Sequence, residues 1–399
     1  MEKLRRWASD RAALYRSTLL ERVVPFWMRL AGESRDGAIS NCVDDAGTVL
    51  SHDRYLWSQG RALWTFSALY NRIAPRPEWL DVAHGLAGYL RRHGRDANGC
   101  WVYRLDERGG VAQGAESIYV DGFVMHGLAE YVAATGDSDA AALAVETWRN
   151  VRERLRKPGS YGILPSEMPR GGKVLGVRML FSLVFHGLGR VVGRQDIVDD
   201  GLALADELLR DFRDDEKRAF REFVRLEGGR LEAPVGSVCV PGHVIESMWF
   251  LIGMFEDDPD RRGLIPTCCD LIRRHLELAW DEEHGGLRLA VNLDGTEPPA
   301  WQKADCKPWW VQVEALVATV YAWLHTRQEW CLSWHEKVKE YAFSRYPVPT
   351  GEWTQWLDRR GNTAESAALP VKDPFHLPRA LMALTGLLER RMPGLGEAT

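Results

Sequence analysis

The 399-residue sequence predicts an all-α fold: an (α/α)6 toroid, or α/α barrel, of inner and outer helices with short β-hairpins at one mouth. Two observations predict this fold class. Short segments that end in a turn glycine recur about every sixty residues, and a fixed period is the signature of a repeat architecture. The stretches between them have helical periodicity, and some are apolar nearly all round, as expected of an inner ring covered by an outer one.

Each recurring segment has the pattern of a short strand that runs into a tight turn. These segments occupy residues 42–47, 101–109, 163–171, 223–228, 287–295 and 353–361. Helices are predicted over 61–73, 79–93, 123–135, 138–155, 244–255, 267–280, 311–327 and 379–390. An open helical solenoid is the competing architecture. The closed ring is favoured because the hairpin loops are long and rich in aromatic and polar residues.

Composition predicts one globular domain over residues 1–399, because no Pro-, Gly- or Ser-rich linker interrupts the repeats. The tail after Met392 is expected to be disordered. A net charge of −5 offers no basic field to nucleic acid or anionic membranes. No apolar run approaches the roughly 20 residues that span a bilayer, and the N-terminus lacks a signal-peptide core. Seven cysteines without a Cys-x-x-Cys pair indicate reduced thiols, neither disulfides nor a zinc site, and hence a cytoplasmic location.

The repeat also predicts where the chemistry lies. The first helix of each unit begins about fifteen residues after its turn glycine, so these start positions should face one common cavity. The residues at or near these positions are Arg61, His186, His243, Trp310 and His376. A purely structural repeat would not need this set, although His186 lies further along its segment and is also explained as a core residue.

His243 follows Pro241 and Gly242, which end the preceding segment, so it should lie at the start of a helix. The unpaired N–H groups and the positive dipole at that end favour a neutral imidazole. Glu246 and Trp249 follow at steps of three and therefore share one helix face with His243. A base, a carboxylate and an aromatic surface on one stripe are typical of a pocket wall. A capping histidine on a core helix is the alternative.

His376 mirrors His243, because Pro378 suits the first turn of the helix that follows. Histidine titrates near neutral pH. Two such groups on opposite faces of a bound carbon can remove a proton from one face and return one to the other. The enolate-like intermediate would need a cation or donor aimed at its oxygen, and Arg61 is the candidate.

Each of these residues also has a structural explanation when it is taken alone. Arg61 is a typical salt-bridge partner, and Trp310 is a typical core residue. Glu246 and Glu314 are typical partners of a basic residue such as Lys307 or Arg61. The joint occurrence of these residue types at equivalent repeat positions favours a site.

Four motifs resemble the N-acylglucosamine 2-epimerase family, which includes the cellobiose 2-epimerases. They are Pro-Gly-His-Val-Ile-Glu (241–246), Lys-Pro-Trp-Trp-Val-Gln-Val-Glu (307–314), Gly-Glu-Trp (351–353) and Pro-Phe-His-Leu-Pro-Arg (374–379). Residues 57–64 and 117–121 resemble its N-terminal blocks. The resemblance, which runs from about Tyr55 to Met382, implies an α6/α6 barrel. It also implies an isomerase that epimerises C2 of an open-chain aldose with two histidines and without a metal or cofactor.

Position by position, the resemblance implies that His243 and His376 are the catalytic histidines and that Arg61 contacts substrate oxygens. It implies four further pocket residues, which are Glu246, Trp249, Trp310 and Glu314. A free aldose or an N-acyl-aminosugar is the implied substrate, and a homodimer is among the implied assemblies.

The sequence departs from the family at the third inner helix, where many members carry a Met-His-x-x-Glu block. Residues 178–186 lack this His and Glu, and Leu180 and Leu183 lie nearest to their places. The substrate therefore stays open. An aldose–ketose isomerase would use the same site if the proton returned to C1. A glycoside hydrolase that uses Glu246 and Glu314 as acid and base, and a non-catalytic sugar-binding toroid, are the further alternatives.

Overall fold

A computed structural model of the chain describes residues 2–34, 36–157, 159–295, 301, 303–364 and 370–392. Helices account for most of this part. They are α1 (Glu2–Ser17), α2 (Val24–Gly32), α3 (Leu56–Arg72), α4 (Pro77–His93), α5 (Ile118–Thr135), α6 (Ser138–Leu155), α7 (Leu175–Val192), α8 (Gln195–Asp211), α9 (Pro241–Phe255), α10 (Ile265–Ala279), α11 (Trp309–Thr326), α12 (Glu329–Arg345) and α13 (His376–Arg390). A π-helical turn, Thr18–Val23, lies between α1 and α2.

The strands are two or three residues long. They are β1 (Arg54–Tyr55), β2 (Arg104–Leu105), β3 (Val111–Gln113), β4 (Gly172–Val174), β5 (Arg213–Asp214), β6 (Ala219–Phe220), β7 (Phe223–Arg225), β8 (Val238–Cys239), β9 (Val291–Asn292), β10 (Lys307–Pro308) and β11 (Trp356–Leu357). Strands β1, β2 and β3 form an antiparallel sheet, and β5 with β6, β8 with β9, and β10 with β11 form antiparallel pairs. The turn glycines 47, 109, 171, 228 and 361 adopt positive φ angles, as a tight turn requires, whereas Gly295 does not.

The chain forms two compact units. The first unit combines Met1–Val24, Leu208–Ala367 and His376–Thr399, and the second combines Pro25–Glu207 and Ala368–Phe375. The single domain over residues 1–399 therefore stays a prediction. The expected disorder after Met392 concerns residues outside the described part of the chain.

In the first unit, α9 packs against α11 and α11 packs against α13. Each of these three helices is also covered by a second helix, α10, α12 and α1 respectively. The faces of α9 and α11 are apolar and almost entirely buried. The predicted arrangement of a buried first helix and a covering second helix is therefore present in this unit.

In the second unit, α3 packs against both α4 and α5, and α5 packs against α6 and α7. The closest approach is between α3 and α5. A Cβ added to Gly60 would lie 2.7 Å from the backbone of Phe123, and one added to Gly127 would lie 2.4 Å from the oxygen of Gly60. Glycine at these positions lets the two backbones touch.

The first helices begin earlier than the sequence predicts, by three to five residues at α3, α5, α9 and α13. Their first turns mix apolar residues or proline with polar ones, so hydrophobic periodicity alone does not assign them to a helix. His376 is consequently the first residue of α13, whereas Arg61 lies in the second turn of α3. The placement of His186 at a helix start is wrong, because α7 begins at Leu175 and His186 lies about three turns inside it.

Among the described residues, one helix is long and apolar enough to cross a membrane by length and composition alone. This helix is α7, and 67% of it is buried inside the protein, as for a core helix. Leu180, at the place of the missing family motif, packs on α5, because a Cβ at Gly122 would lie 2.5 Å from its Cδ2.

Candidate active site

His243 lies in the first turn of α9, which begins at Pro241 after the extended residue Val240. Proline suits this position because its missing N–H would have no partner inside the helix. A Cβ at Gly242 would lie 2.7 Å from Cζ3 of Trp310. Glycine therefore lets the start of α11 approach the start of α9, and Trp310 stacks on the imidazole of His243 with ring centroids 5.2 Å apart.

The partner of His243 is Glu222, which lies between β6 and β7. Nδ1 of His243 donates to Oε2 of Glu222 at 3.0 Å, and the side chain of Glu222 is 1% exposed. Burial opposes protonation of His243, but the charge and hydrogen bond of Glu222 outweigh it, so the pKa of His243 lies above its ordinary value. The neutral imidazole expected at this helix start stays a prediction, and the buried carboxylate of Glu222 acts against it.

His376 has the same arrangement at the start of α13. Its Nδ1 donates to Oε1 of Glu314 at 2.8 Å, and Glu314 is fully buried on α11. Oε1 of Glu246 lies 3.9 Å from the same nitrogen. The two predicted catalytic histidines are thus each held at Nδ1 by a buried carboxylate.

Arg379, one helical turn after His376, joins the carboxylates of Glu246 and Glu314. Its Nη2 donates to Oε1 of Glu314 at 2.7 Å and to Oε1 of Glu246. Burial disfavours a charged Glu314, but Arg379 and His376 together lower the pKa of this carboxyl. Trp249 completes the cluster, because its Nε1 donates to Oε2 of Glu314 at 3.0 Å. All five residues belong to the first unit.

Glu246, Glu314 and His376 are close enough to share a metal ion, since one potential ligand atom of each lies within 4.8 Å of the others. Arg379 donates to both carboxylates and lies 3.4 Å from Nδ1 of His376. Its guanidinium group therefore supplies the positive charge that a metal ion would otherwise bring to this cluster.

Trp310 connects the two histidines. Its ring centroid lies 5.2 Å from that of His243 and 5.7 Å from that of His376. The two imidazoles are therefore no further apart than the sum of these distances. The side chain of His243 is 23% exposed and that of His376 is 10% exposed. Both rings thus line the same region and retain access to its surface.

The hydrogen bonds define which nitrogen of each imidazole is left to accept a proton. A neutral histidine that donates from Nδ1 to a carboxylate carries its basic lone pair on Nε2. The carboxylate also stabilises the imidazolium that forms when Nε2 takes a proton. Both His243 and His376 can therefore act as acid or base through Nε2.

Arg61 belongs to the second unit, and its surroundings there are defined. Its Nη1 donates to Oδ1 of Asp373 at 2.9 Å. Its guanidinium lies over the rings of three aromatic residues, which are Phe123 at 3.9 Å, Trp57 at 4.9 Å and Phe375 at 5.3 Å. A cation held between aromatic faces and one carboxylate is well positioned. The contact of Arg61 with substrate oxygens stays a prediction. The single cavity that all the predicted positions should face also stays a prediction.

Sequence reasoning missed Glu222 and Arg379 as site residues. A signal for Arg379 was present, because it follows His376 by three residues and so shares its helix face. Glu222 gives no such signal, because it lies 21 residues before His243 in a loop. Glu246 and Glu314 do pair with a basic residue, but the partner is Arg379, whereas Lys307 pairs with Asp281.

The family model of N-acylglucosamine 2-epimerase (GlcNAc 2-epimerase) matches residues 37–380. The N-acylglucosamine 2-epimerase of Bos taurus is 28% identical over 410 residues, which cover 100% of this chain and 95% of the bovine protein. The human enzyme is 27% identical and covers 94% of this chain and 90% of its own length.

The fold is that of a solved cellobiose 2-epimerase from Bacillus thermoamylovorans. The TM-score is 0.82 at 18% identity, over 95% of this chain and 99% of that chain. A solved D-mannose isomerase matches with a TM-score of 0.78 at 17% identity, over 94% and 97% of the two chains. These likenesses confirm the predicted α/α toroid as the fold class. The protein belongs to the N-acylglucosamine 2-epimerase family, whose members are carbohydrate 2-epimerases and therefore isomerases.

Proposed function

We propose that this protein epimerises C2 of a free aldose or an N-acyl-aminosugar through its open-chain form. A histidine first assists ring opening as an acid. Nε2 of one histidine then takes the C2 proton, and the electron pair of the broken C–H bond becomes an enolate. Nε2–H of the other histidine returns a proton to the opposite face of C2. The roles of His243 and His376 reverse when the product epimer is the substrate.

One observation carries this proposal: two imidazoles contact the same indole, and each is held at Nδ1 by a buried carboxylate. Proton transfer to and from carbon at neutral pH needs groups that are stable in both protonation states. The carboxylates of Glu222 and Glu314 supply that stability.

The acid–base pair of a glycoside hydrolase fits this site poorly. Glu246 and Glu314 bond to the same guanidinium, and their closest oxygens lie within 4.8 Å. A hydrolase needs one carboxyl with a raised pKa as its acid, whereas the pKa of Glu314 is lowered. The two carboxylates are better suited to positioning His376.

The test is proton NMR in D2O with mannose, glucose, N-acetylmannosamine and cellobiose. The expected result is a C2 epimer that carries deuterium at C2 for at least one of these sugars. A ketose as sole product would assign the protein to aldose–ketose isomerases. Sugar binding without any C–H exchange, even at high protein concentration, would contradict catalysis and indicate a sugar-binding protein.

The proposed contact of Arg61 with substrate oxygens has its own test. Arg61→Lys keeps the charge but removes the planar fork of donors. We expect KM to rise about tenfold, because the variant would lose one good hydrogen bond to the substrate. An unchanged KM would restrict Arg61 to its pairing with Asp373.

We also propose that the protein works in the cytoplasm as a metal-free and cofactor-free enzyme. All seven cysteines are free thiols, and six of them are buried, which suits a reducing compartment. Cell fractionation tests the location, and activity after dialysis against a chelator tests metal independence. Sedimentation measurements decide between a monomer and the proposed homodimer.

A further inference from the structure

We propose that Glu222 is a positioning residue for the half of the reaction that His243 performs, and that Arg221 fixes Glu222 in place. This inference rests on the proposed function. It extends that function by giving each catalytic histidine its own carboxylate, so that the two halves of the reaction can be impaired separately.

Glu222 is placed to act on His243 through a direct hydrogen bond. Its carboxylate bonds to Nδ1 of His243, while its backbone N–H donates to the oxygen of Val238 at 2.8 Å. The side chain is 1% exposed. A carboxylate in such a position is costly unless a positive charge or several donors neutralise it. The imidazolium of His243 supplies that charge, so Glu222 favours the protonated histidine and fixes its ring orientation.

Arg221 holds the loop from the other side. Its side chain is 3% exposed and donates to Oδ2 of Asp294 at 2.8 Å, to Oδ2 of Asp214, and to the backbone oxygen of Gly236. Its charge is thereby directed to other carboxylates, although Arg221 is next to Glu222 in the chain. Three segments of the chain, which contain Asp214, Gly236 and Asp294, meet at this guanidinium and fix the backbone that presents Glu222.

The charged groups around the two histidines differ. His243 faces Glu222 from the loop, Glu246 from its own helix at longer range, and the indole of Trp310 from α11. His376 faces Glu314 from α11, Glu246 from α9 and the guanidinium of Arg379 from its own helix. Removing the charge of Glu222 should therefore lower the pKa of His243 and impair its proton transfers. It should leave the groups around His376 unchanged.

The experiment uses Glu222→Gln, which keeps a hydrogen-bond acceptor for Nδ1 and removes the charge. Epimerisation and wash-in of deuterium at C2 without inversion are measured for both epimers of the substrate found for the wild-type enzyme. For the epimer whose C2 proton His376 removes, His243 must return a proton to the opposite face. In this direction we expect the rate of deuterium exchange at C2 to exceed the rate of epimerisation by about tenfold or more. With the other epimer, both rates should fall together.

Two variants serve as references. Glu314→Gln should give the opposite result, because the rate of deuterium exchange should then exceed the rate of epimerisation for the other epimer. Glu227→Gln removes an exposed charge from the same hairpin and should change neither rate. In Glu222→Gln the alkaline limb of the pH profile should also move to lower pH by about one unit or more, because His243 loses its proton more easily.

Equal loss of exchange and epimerisation for both epimers in Glu222→Gln would overturn the proposal, and so would unchanged rates. If Glu222→Gln does not fold, Glu222→Asp tests the same point. It keeps the charge but withdraws it from Nδ1, so it should lower kcat and move the alkaline limb to lower pH by less than about one unit. A wild-type protein that exchanges no C2 proton would refute the proposed function itself, and histidine NMR titration would then still test whether Glu222 raises the pKa of His243.

Discussion

Two pairs of histidines in the first unit have opposite chemistry. His243 and His376 lie in the first turns of α9 and α13, and each Nδ1 bonds to a charged carboxylate. His275 and His335 lie inside α10 and α12, the covering helices, and both are fully buried.

The two core histidines bond through both ring nitrogens to neutral groups. His275 bonds to the oxygen of Leu271 and the N–H of Phe220, and His335 bonds to the hydroxyls of Tyr15 and Thr319. Burial lowers the pKa of His275 and of His335 to about 4, whereas the pKa of His243 is raised. The carboxylate partner raises the pKa of His243, whereas burial among neutral partners lowers the pKa of the two core histidines.

The largest loss of activity is expected from substitution of the first pair of histidines, His243 and His376. Replacing His243 or His376 by Asn should lower kcat by about a thousandfold, because each is an acid–base group. His335→Gln keeps a polar side chain in the core and should leave kcat within a few-fold of wild type, measured at a temperature where the variant is folded. A comparable loss in His335→Gln would mean that the division by partner charge is wrong.

The next effect concerns the carboxylate cluster. Glu314→Gln leaves Arg379 with a single carboxylate in a buried site, and breaking a buried ion pair costs about 3–5 kcal/mol of unfolding free energy. Urea unfolding of the variant and of wild type measures the difference. A loss below about 1 kcal/mol would show that Glu246 alone can neutralise Arg379.

Acid should weaken the fold through the core histidines. Their folded pKa of about 4 lies below the ordinary 6.5, so the unfolded chain binds their protons first. The contribution of these two histidines to the free energy of unfolding is then complete above pH 6.5. It declines as the pH falls to 4, by about 3 kcal/mol for each histidine. Thermal unfolding between pH 8 and 4 measures the decline.

The contribution of His243 to stability has the opposite dependence on pH. Its pKa is raised, so its contribution is complete below pH 6.5 and is lost as the pH rises through its folded pKa. His335→Gln cannot titrate and should show a smaller decline on acidification than wild type. An identical decline would assign the acid sensitivity to other groups.

The smallest loss of activity is expected from a substitution of Trp310, whose ring contacts both His243 and His376. Trp310→Phe keeps an aromatic face but reduces its area, and aromatic contacts are worth about 0.5–1.5 kcal/mol. We expect kcat to fall by up to about tenfold, with a similar loss for both epimers, because both imidazoles lose support. A loss confined to one epimer would show that Trp310 positions only one histidine.

Much of the local structure could be predicted from the sequence. The helix α6 was predicted at its observed bounds, and the second helices α4 and α10 within two residues, because hydrophobic periodicity marks a helix with one buried face. The first helices were predicted too short at their N-termini, because proline and polar residues interrupt the apolar period there. That displaced Arg61 and His186 from the helix starts where they were expected.

Which residues share a helix face can be predicted from the amino-acid sequence alone. His243, Glu246 and Trp249 follow at steps of three, as do His376 and Arg379, and the helical period sets this relation. Which charged groups meet depends on the packing of distant segments of the chain. Glu222 and Glu314 lie 21 and 62 residues from the histidines that they hold. Their contact depends on how loops and helices pack, and the raised pKa of His243 follows from that packing because the carboxylate of Glu222 favours the protonated imidazole.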